Sequence, residues 1–481
     1  MAGLVPAIHV FAATRNKTWM PGTRPGMTKE VPEHMNAIEP PQTYIVTNRR
    51  VLAIAVPMTL ASATTPLLGV VATGMIGRLG EAHTLGAVAM SSVVFDCLFW
   101  LFAFLRMGTV ALTAQALGRG DVAEERTTLL RALVLAAAIG LALIALQAPL
   151  AGAIYRLMGA SGEVTRAAEI YFCVRIWSAP FALANYVMLG WFVGLARART
   201  ALALQVAINL INIVTIAVLV LGFGYGVAGA AFGAVAAEAV GTVAGLTIAL
   251  RIVGARVPDT GRIFDRAKLL RMFVINRDIM IRTAALITAW GFFAAQGARA
   301  GDVVLAANSV LNNFVMIGAF FLDGFASAAE QLCGRAIGAH DGATFRRSVR
   351  LSLSWGFGFG VAATLGFLAI GPWLIDVMTA SADVRIVARG YLVYAALASV
   401  IGTFAFTYDG IYIGATWTRD MRNLMIVTIV LYFGAWWLTR PLGNTGLWLA
   451  ILVFLGSRGA LQAARYPALA RATFNPATAA P

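Results

Sequence analysis

What most constrains this chain is a succession of apolar stretches that follow one another from Arg50 to about position 466 with only short polar breaks. Many run to twenty or more residues, enough for a helix to cross a hydrocarbon core of roughly 30 Å. In lipid every backbone polar group must be satisfied within the segment or a closed barrel. The runs are continuously apolar rather than alternating, which disfavours barrel strands. Composition agrees, with 59% hydrophobic and 12% charged residues, the latter about half the usual soluble share. The expected fold class is an all-α polytopic membrane protein of about twelve transmembrane helices. The spans fall near 51–77, 86–116, 129–155, 168–195, 201–222, 227–252, 275–299, 304–335, 348–378, 388–416, 423–440 and 445–466.

The formal net charge of +15 would suit nucleic acid if the basic residues clustered with aromatics, but they do not. They fall in alternate loops: Arg119, Arg126 and Arg131; Arg197 and Arg199; eight between 251 and 282; Arg346, Arg347 and Arg350; Arg419 and Arg422. The intervening loops are sparse, and "GFGYGVAG" has none. That alternation places the basic loops, and with an even number of spans both termini, in the cytoplasm. Nucleic-acid binding is excluded on this ground.

Residues 1–47 are rich in proline and lack a periodic apolar face, which reads as a disordered tail. Translation starting at Met27 or Met35 would lose nothing that a membrane domain needs. Cys97, Cys173 and Cys333 lie far apart, each within an apolar block, and four histidines form no cluster, so neither a metal site nor a disulfide framework is expected. The same scarcity of His and Cys constellations argues against an enzyme.

The chain repeats itself at an offset of 220: "GLARAR" from Gly194 against "GATWTR" from Gly414, and "ALGRGD" from Ala116 against "AIGAHD" from Ala336. Gly77, Leu85, Ala87 and Gly190 pair with Gly297, Leu305, Ala307 and Gly410 at the same spacing. Six spans separate the copies, so the repeat is parallel: two six-helix lobes, 48–252 and 275–466, with a basic linker at 253–274 and a tail at 467–481. Such repeats are typical of transporters with the site between the lobes.

The phrases "TPLLGVVATGMIGRLG", "FLRMGTVALTAQALGRGD", "SAPFALANYVMLGW", "NRDIMIRT", "FLDGFASAAEQ" and "DGIYIGAT", in this order, resemble the multidrug and toxic compound extrusion (MATE) transporters, in particular the DinF-type branch. The resemblance runs from about Asn48 to Arg465. It implies two lobes forming a V and export of organic compounds against inflowing H⁺ or Na⁺. It also implies aspartates in the first and fifth helices. The matching positions here are Ala72 and Ile216. Asn185, Asn209 and Asn212 remain there, but amides take up no proton at physiological pH.

Coupling is therefore expected to use other carboxylates. Asp323, Glu330 and Asp409 in the second lobe and Glu238 in the first are the candidates, with Asp96 left over. An acid at mid-span costs about 2.5–3.5 kcal/mol on insertion scales and is seldom idle. Arg106 and Arg175 lie within helical blocks, where they snorkel to an interface or neutralise a buried acid. Asn185, Asn212, Phe292, Phe320, Tyr408 and Tyr412 are candidate cavity residues, aromatic faces beside carboxylates suiting a lipophilic cation. Arg277, Asp278 and Arg282 are expected as charges at the lobe junction.

The expected function is a secondary antiporter of the inner membrane, monomeric and without cofactor, exporting amphipathic, cationic or neutral organic compounds for H⁺. Sodium coupling and the flipping of a lipid-linked precursor are the alternatives. Its other partners are membrane lipids.

Overall fold

The protein is described here from a computed structural model, which covers residues 44–77, 82–158, 162–254 and 260–475. Ala72 and the proposed alternative starts lie outside the described side chains and residues, respectively. Among the described residues there is no strand; the chain is helices joined by short turns.

The first half comprises α1 (Asn48–Gly77), α2 (Ala82–Leu101), α3 (Phe104–Arg119), α4 (Val122–Ala145), α5 (Gln147–Met158), α6 (Gly162–Arg175), α7 (Ala179–Gly194), α8 (Ala198–Ile216) and α9 (Gly226–Val253). A short α10 (Thr260–Ile263) leads to the second half: α11 (Arg266–Arg299), α12 (Asp302–Gly338), α13 (Gly342–Met378), α14 (Ala382–Gly414), α15 (Thr418–Thr439) and α16 (Asn444–Phe474). Helices α2 and α3 form one span bent at Leu101–Phe104, and α6 and α7 another, interrupted by a 3-10 turn ahead of Pro180. Eleven such spans have the length and hydropathy to cross a membrane, and α1, at 30 residues, has the length for a twelfth. Large apolar side chains stand on the outside, including Leu141, Val243, Leu365, Trp373 and Ile386, as lipid rather than water requires.

Several helices run further than the sequence suggests, α11 and α16 the most. Helix α11 begins at Arg266 rather than near 275, because Asp265 accepts from the amides of Ala267 and Lys268 as its N-cap. The linker before it is tied to α4, where Arg131 donates to the carbonyls of Arg262 and Ile263. At the other terminus α16 continues through Pro467 to Phe474. Phe474 packs on Phe345, and Trp417 donates to Thr473, so the expected tail is helix from 467 to 474.

The repeat is visible in the backbone. Gly120 and His340 both adopt left-handed φ, at 70° and 53°, and so do Ala196 and Thr416, at 59° and 57°. Asp121 caps α4 and Asp341 caps α13 in the same way. The packing repeats as well. A Cβ on Gly118 would lie 2.0 Å from the carbonyl oxygen of Arg335, and one on Gly338 would lie 2.0 Å from that of Gln115. Each half thus offers a glycine to the other half's backbone about a local two-fold.

The apolar cores show how the halves meet. One core runs through the first half and into the arginine-rich end of the second, taking in Phe325, Leu332, Phe345 and Tyr412. A second, separate core fills only the opposite end of the second half, around Phe293, Phe314, Trp448 and Phe454. The halves are fused at the end that carries the basic loops and part at the other.

Candidate functional site

Charged side chains that no lipid-facing position would tolerate converge where the halves join. On α14, Asp409 is buried and held within the second half. Arg282 of α11 and Arg458 of α16 both form ion pairs with its Oδ2, and Gln462 donates to Oδ1 at 2.7 Å. The Arg458 guanidinium also lies 5.6 Å from the Phe406 ring centroid. Asp409 therefore does not face an open vestibule. It is the centre of a clamp joining α11, α14 and α16.

Asp323 on α12 sits elsewhere. Arg106 of α3 reaches it from the first half at 3.5 Å, Ser62 of α1 donates to it at 3.3 Å, and Arg106 also donates to Ser327 at 3.4 Å. Here the halves are tied by charge. The approach is possible because α7 presents Gly190 to the Arg106 backbone, where a Cβ would stand 2.4 Å from the Arg106 carbonyl oxygen.

Glu330, two turns further along α12, is 3% exposed. Its Oε1 has no hydrogen-bond partner, and no ion pair within 4 Å reaches it among the described residues. Arg106, Asp323 and Arg282 all lie within electrostatic reach. Three arginines and three acids therefore share one buried region, and Glu330 is the acid without a guanidinium of its own.

The first half carries a second polar group. Asn185 of α7 donates to the Glu238 carboxylate at 2.6 Å and to its carbonyl at 3.0 Å, and Thr242 donates to the same carbonyl at 2.9 Å. Arg175 approaches Glu238 at 4.0 Å, donates to Ser178, and lies over Phe99 and Phe95. Asn209 donates to Thr64 at 2.7 Å, while the buried Oδ1 of Asn212 has no partner. Ile216 packs against Gly233, an apolar contact where the resemblance implies an acid.

Several expected site residues lie elsewhere. Phe292 is locked edge-on among Tyr432, Phe433 and Trp436. Tyr412 is wholly buried, with its hydroxyl donating to the Gln462 carbonyl, and Tyr408 packs near Tyr466. These are core aromatics; of the set only Phe320 is half-buried without a ring contact. Asn185 is committed to Glu238 rather than open to a ligand. Arg277, Asp278 and Arg282 lie on the part of α11 that meets α3, but their ion pairs stay within the second half. Asp278 is buried between Arg277 and Arg422, all within the second half, because the start of α11 packs on α15. Polar contacts across the junction include those of Gln115 on α3, which donates to the Gly414 carbonyl at 3.0 Å and to Thr416 and accepts from Arg271.

Arg458 and Gln462 were not singled out from the sequence. The signal was present: "LGSRGALQ" places a cation in an apolar block, and such a group calls for a named counter-charge.

Eleven candidate spans in two halves that share a backbone repeat, fused at one end around buried ionisable groups, are the architecture of a membrane transporter. The MatE family model matches residues 57–218 and 286–434. The chain is 36% identical to DNA damage-inducible protein F of Escherichia coli strain K12, over 85% of this chain and 90% of that protein. It is 25% identical to the probable multidrug resistance protein NorM of Caulobacter vibrioides, over 86% and 90%. A solved outward-facing multidrug resistance MATE family transporter superposes with a TM-score of 0.80 at 20% identity, covering 89% of this chain and 96% of that one. The chain belongs to the MATE (MatE) family of multidrug efflux transporters.

Proposed function

We propose that this chain is a proton-driven antiporter of the inner membrane that exports amphipathic organic compounds, with the arginine-rich end and both termini in the cytoplasm. In this reading Glu330 carries the coupling proton, with Asp323 and Arg106 as the elements that sense it. Asp409 is the fixed counter-ion of Arg282 and Arg458, and Glu238 holds the first half's polar group together. The lobes run from 48 to 252 and from 266 to 474, and the chain acts as a monomer in lipid.

The observation that carries this reading is the unpaired carboxylate of Glu330, buried among arginines at the junction. When ionised, Glu330 competes with Asp323 for Arg106. When protonated, it leaves Arg106 wholly to Asp323. Proton binding thus alters the tie between the halves, and a ligand shifts a conformational equilibrium only through such a differential interaction. Sodium has no ready site at Asp409: a hard cation collects about six oxygen ligands, whereas both Asp409 oxygens already accept from Arg282, Arg458 and Gln462. At Glu330 it would meet the positive charges of Arg106 and Arg282.

Glu330→Gln is expected to abolish ΔpH-driven substrate movement in proteoliposomes while the protein still folds and binds substrate. Undiminished proton movement in that variant removes Glu330 from the mechanism. Transport driven by a sodium gradient alone would replace the proton as the driving ion.

A further inference from the structure

The buried charge groups differ in how open they are. In the Asp409 clamp, the side chains of Arg282, Asp409 and Arg458 are 7%, 5% and 2% exposed. Arg106 and Asp323 keep 16% and 30%, and Arg175 and Glu238 keep 12% and 18%. The two open pairs share a neighbour, since Tyr186 of α7 lies within electrostatic reach of Glu238, Arg106, Asp96 and Arg175. Two partly open pairs thus lie near one another, each an acid facing an arginine.

This pattern bears on what can bind, and it turns the expectation of a cationic substrate around. A molecule with only a cationic centre must take Asp323 from Arg106 and leave a guanidinium without its counter-charge. Breaking a partly desolvated pair from one side is unfavourable, because the group left behind recovers only part of its hydration. A molecule with only an anionic centre meets the converse problem at Asp323. A molecule carrying both signs exchanges partners: its anion takes Arg106, its cation takes Asp323, and no charge is stranded. The Arg106–Asp323 contact suits such an exchange, being a single long contact of 3.5 Å rather than a short bidentate fork.

From this we infer that the Arg106–Asp323 pair selects amphoteric compounds, with an anionic and a cationic centre in one molecule, and that Arg106 determines the selection. The inference rests on the export reading above but concerns binding alone, without a gradient.

A matched pair of xanthene dyes tests it: one with a free carboxylate beside its cationic ring system, the other its methyl ester, which is cationic only. Binding to the full chain in nanodiscs is read by fluorescence anisotropy. The free acid is expected to bind about ten-fold more tightly than the ester, the increment of one charge-assisted contact. Arg106→Gln should remove that advantage by weakening the acid and sparing the ester, whereas Arg106→Lys should keep part of it. An acid-to-ester ratio near one in the unmodified protein, a preference for the ester, or no binding of the acid overturns the inference, and these outcomes need no variant to fold. Equal weakening of both dyes by Arg106→Gln overturns the role of Arg106. The ratio is read at equilibrium without a gradient, whereas proton coupling is read from ΔpH-driven movement in proteoliposomes, so a failure of one is distinguished from a failure of the other.

Discussion

Asp409→Asn is expected to lower the stability of the folded protein by about 3–5 kcal/mol, the scale on which a buried ion pair responds when one partner is lost. The reason lies in what the substitution leaves behind. Arg282 and Arg458 remain buried without the carboxylate that paired them, and the one amide oxygen of asparagine can accept from Gln462 or from a guanidinium but cannot serve all three donors. Already the Arg282 Nε and Arg458 Nη1 have no hydrogen-bond partner, so neither guanidinium has a reserve of contacts to fall back on. The measurement is thermal unfolding of the purified protein in detergent, with gel filtration before and after heating. Adding Arg458→Gln should restore part of the loss, since the double change removes a charge of each sign, and the double-mutant cycle isolates the coupling. If Asp409→Asn unfolds with the unmodified protein, the clamp is not structural and Asp409 returns as a candidate for coupling.

The broad fold was legible because it follows from local rules. Apolar length, the alternation of basic loops and the 220-residue offset each depend on near neighbours or on self-similarity, and the left-handed residues at 120, 196, 340 and 416 bear the repeat out. The helix ends were less legible. Asp265 and the α16 extension lie beyond the apolar runs, where capping and aromatic packing rather than hydropathy set the limits. The site was legible only as a set of residue types. Intramembrane acids announce themselves by their cost, but which arginine answers which acid depends on helix crossings that one sequence does not display. Asp323 and Asp409 looked alike on that ground, yet one bridges the halves and the other is sealed within one of them. The aromatics were misplaced for a similar reason: Phe292 and Tyr412 share helices with the charged groups but project into packed cores.

Alanine at Gly118 or Gly338 is expected to open the arginine-rich end, and alanine at both should leave little of the closed state. Each glycine meets backbone: a Cβ would stand 2.0 Å from the Arg335 carbonyl oxygen in one case and from that of Gln115 in the other. A rigid main chain cannot rotate away as a side chain can, so α3 and α12 must separate by about an ångström to regain ordinary contact. Overpacking of this kind typically costs about 1–3 kcal/mol per site. Here the strain falls on one conformation only, because the two helices touch this closely only while that end is shut. A penalty specific to one state moves the population by the corresponding factor, roughly ten-fold for each 1.4 kcal/mol. Spin labels at the exposed Arg199 and Arg419, on opposite halves at that end, read the separation directly in a cysteine-free background. Distances should lengthen in each single variant and further in the double. The pseudo-two-fold adds a condition that a mere loss of stability would not meet: the two single variants should shift the distribution in the same direction and by similar amounts. Unchanged distances in the double variant would mean that the glycine contacts do not hold the closed end together, and the seal would then lie with the Arg106–Asp323 tie and the Gln115 hydrogen bonds instead.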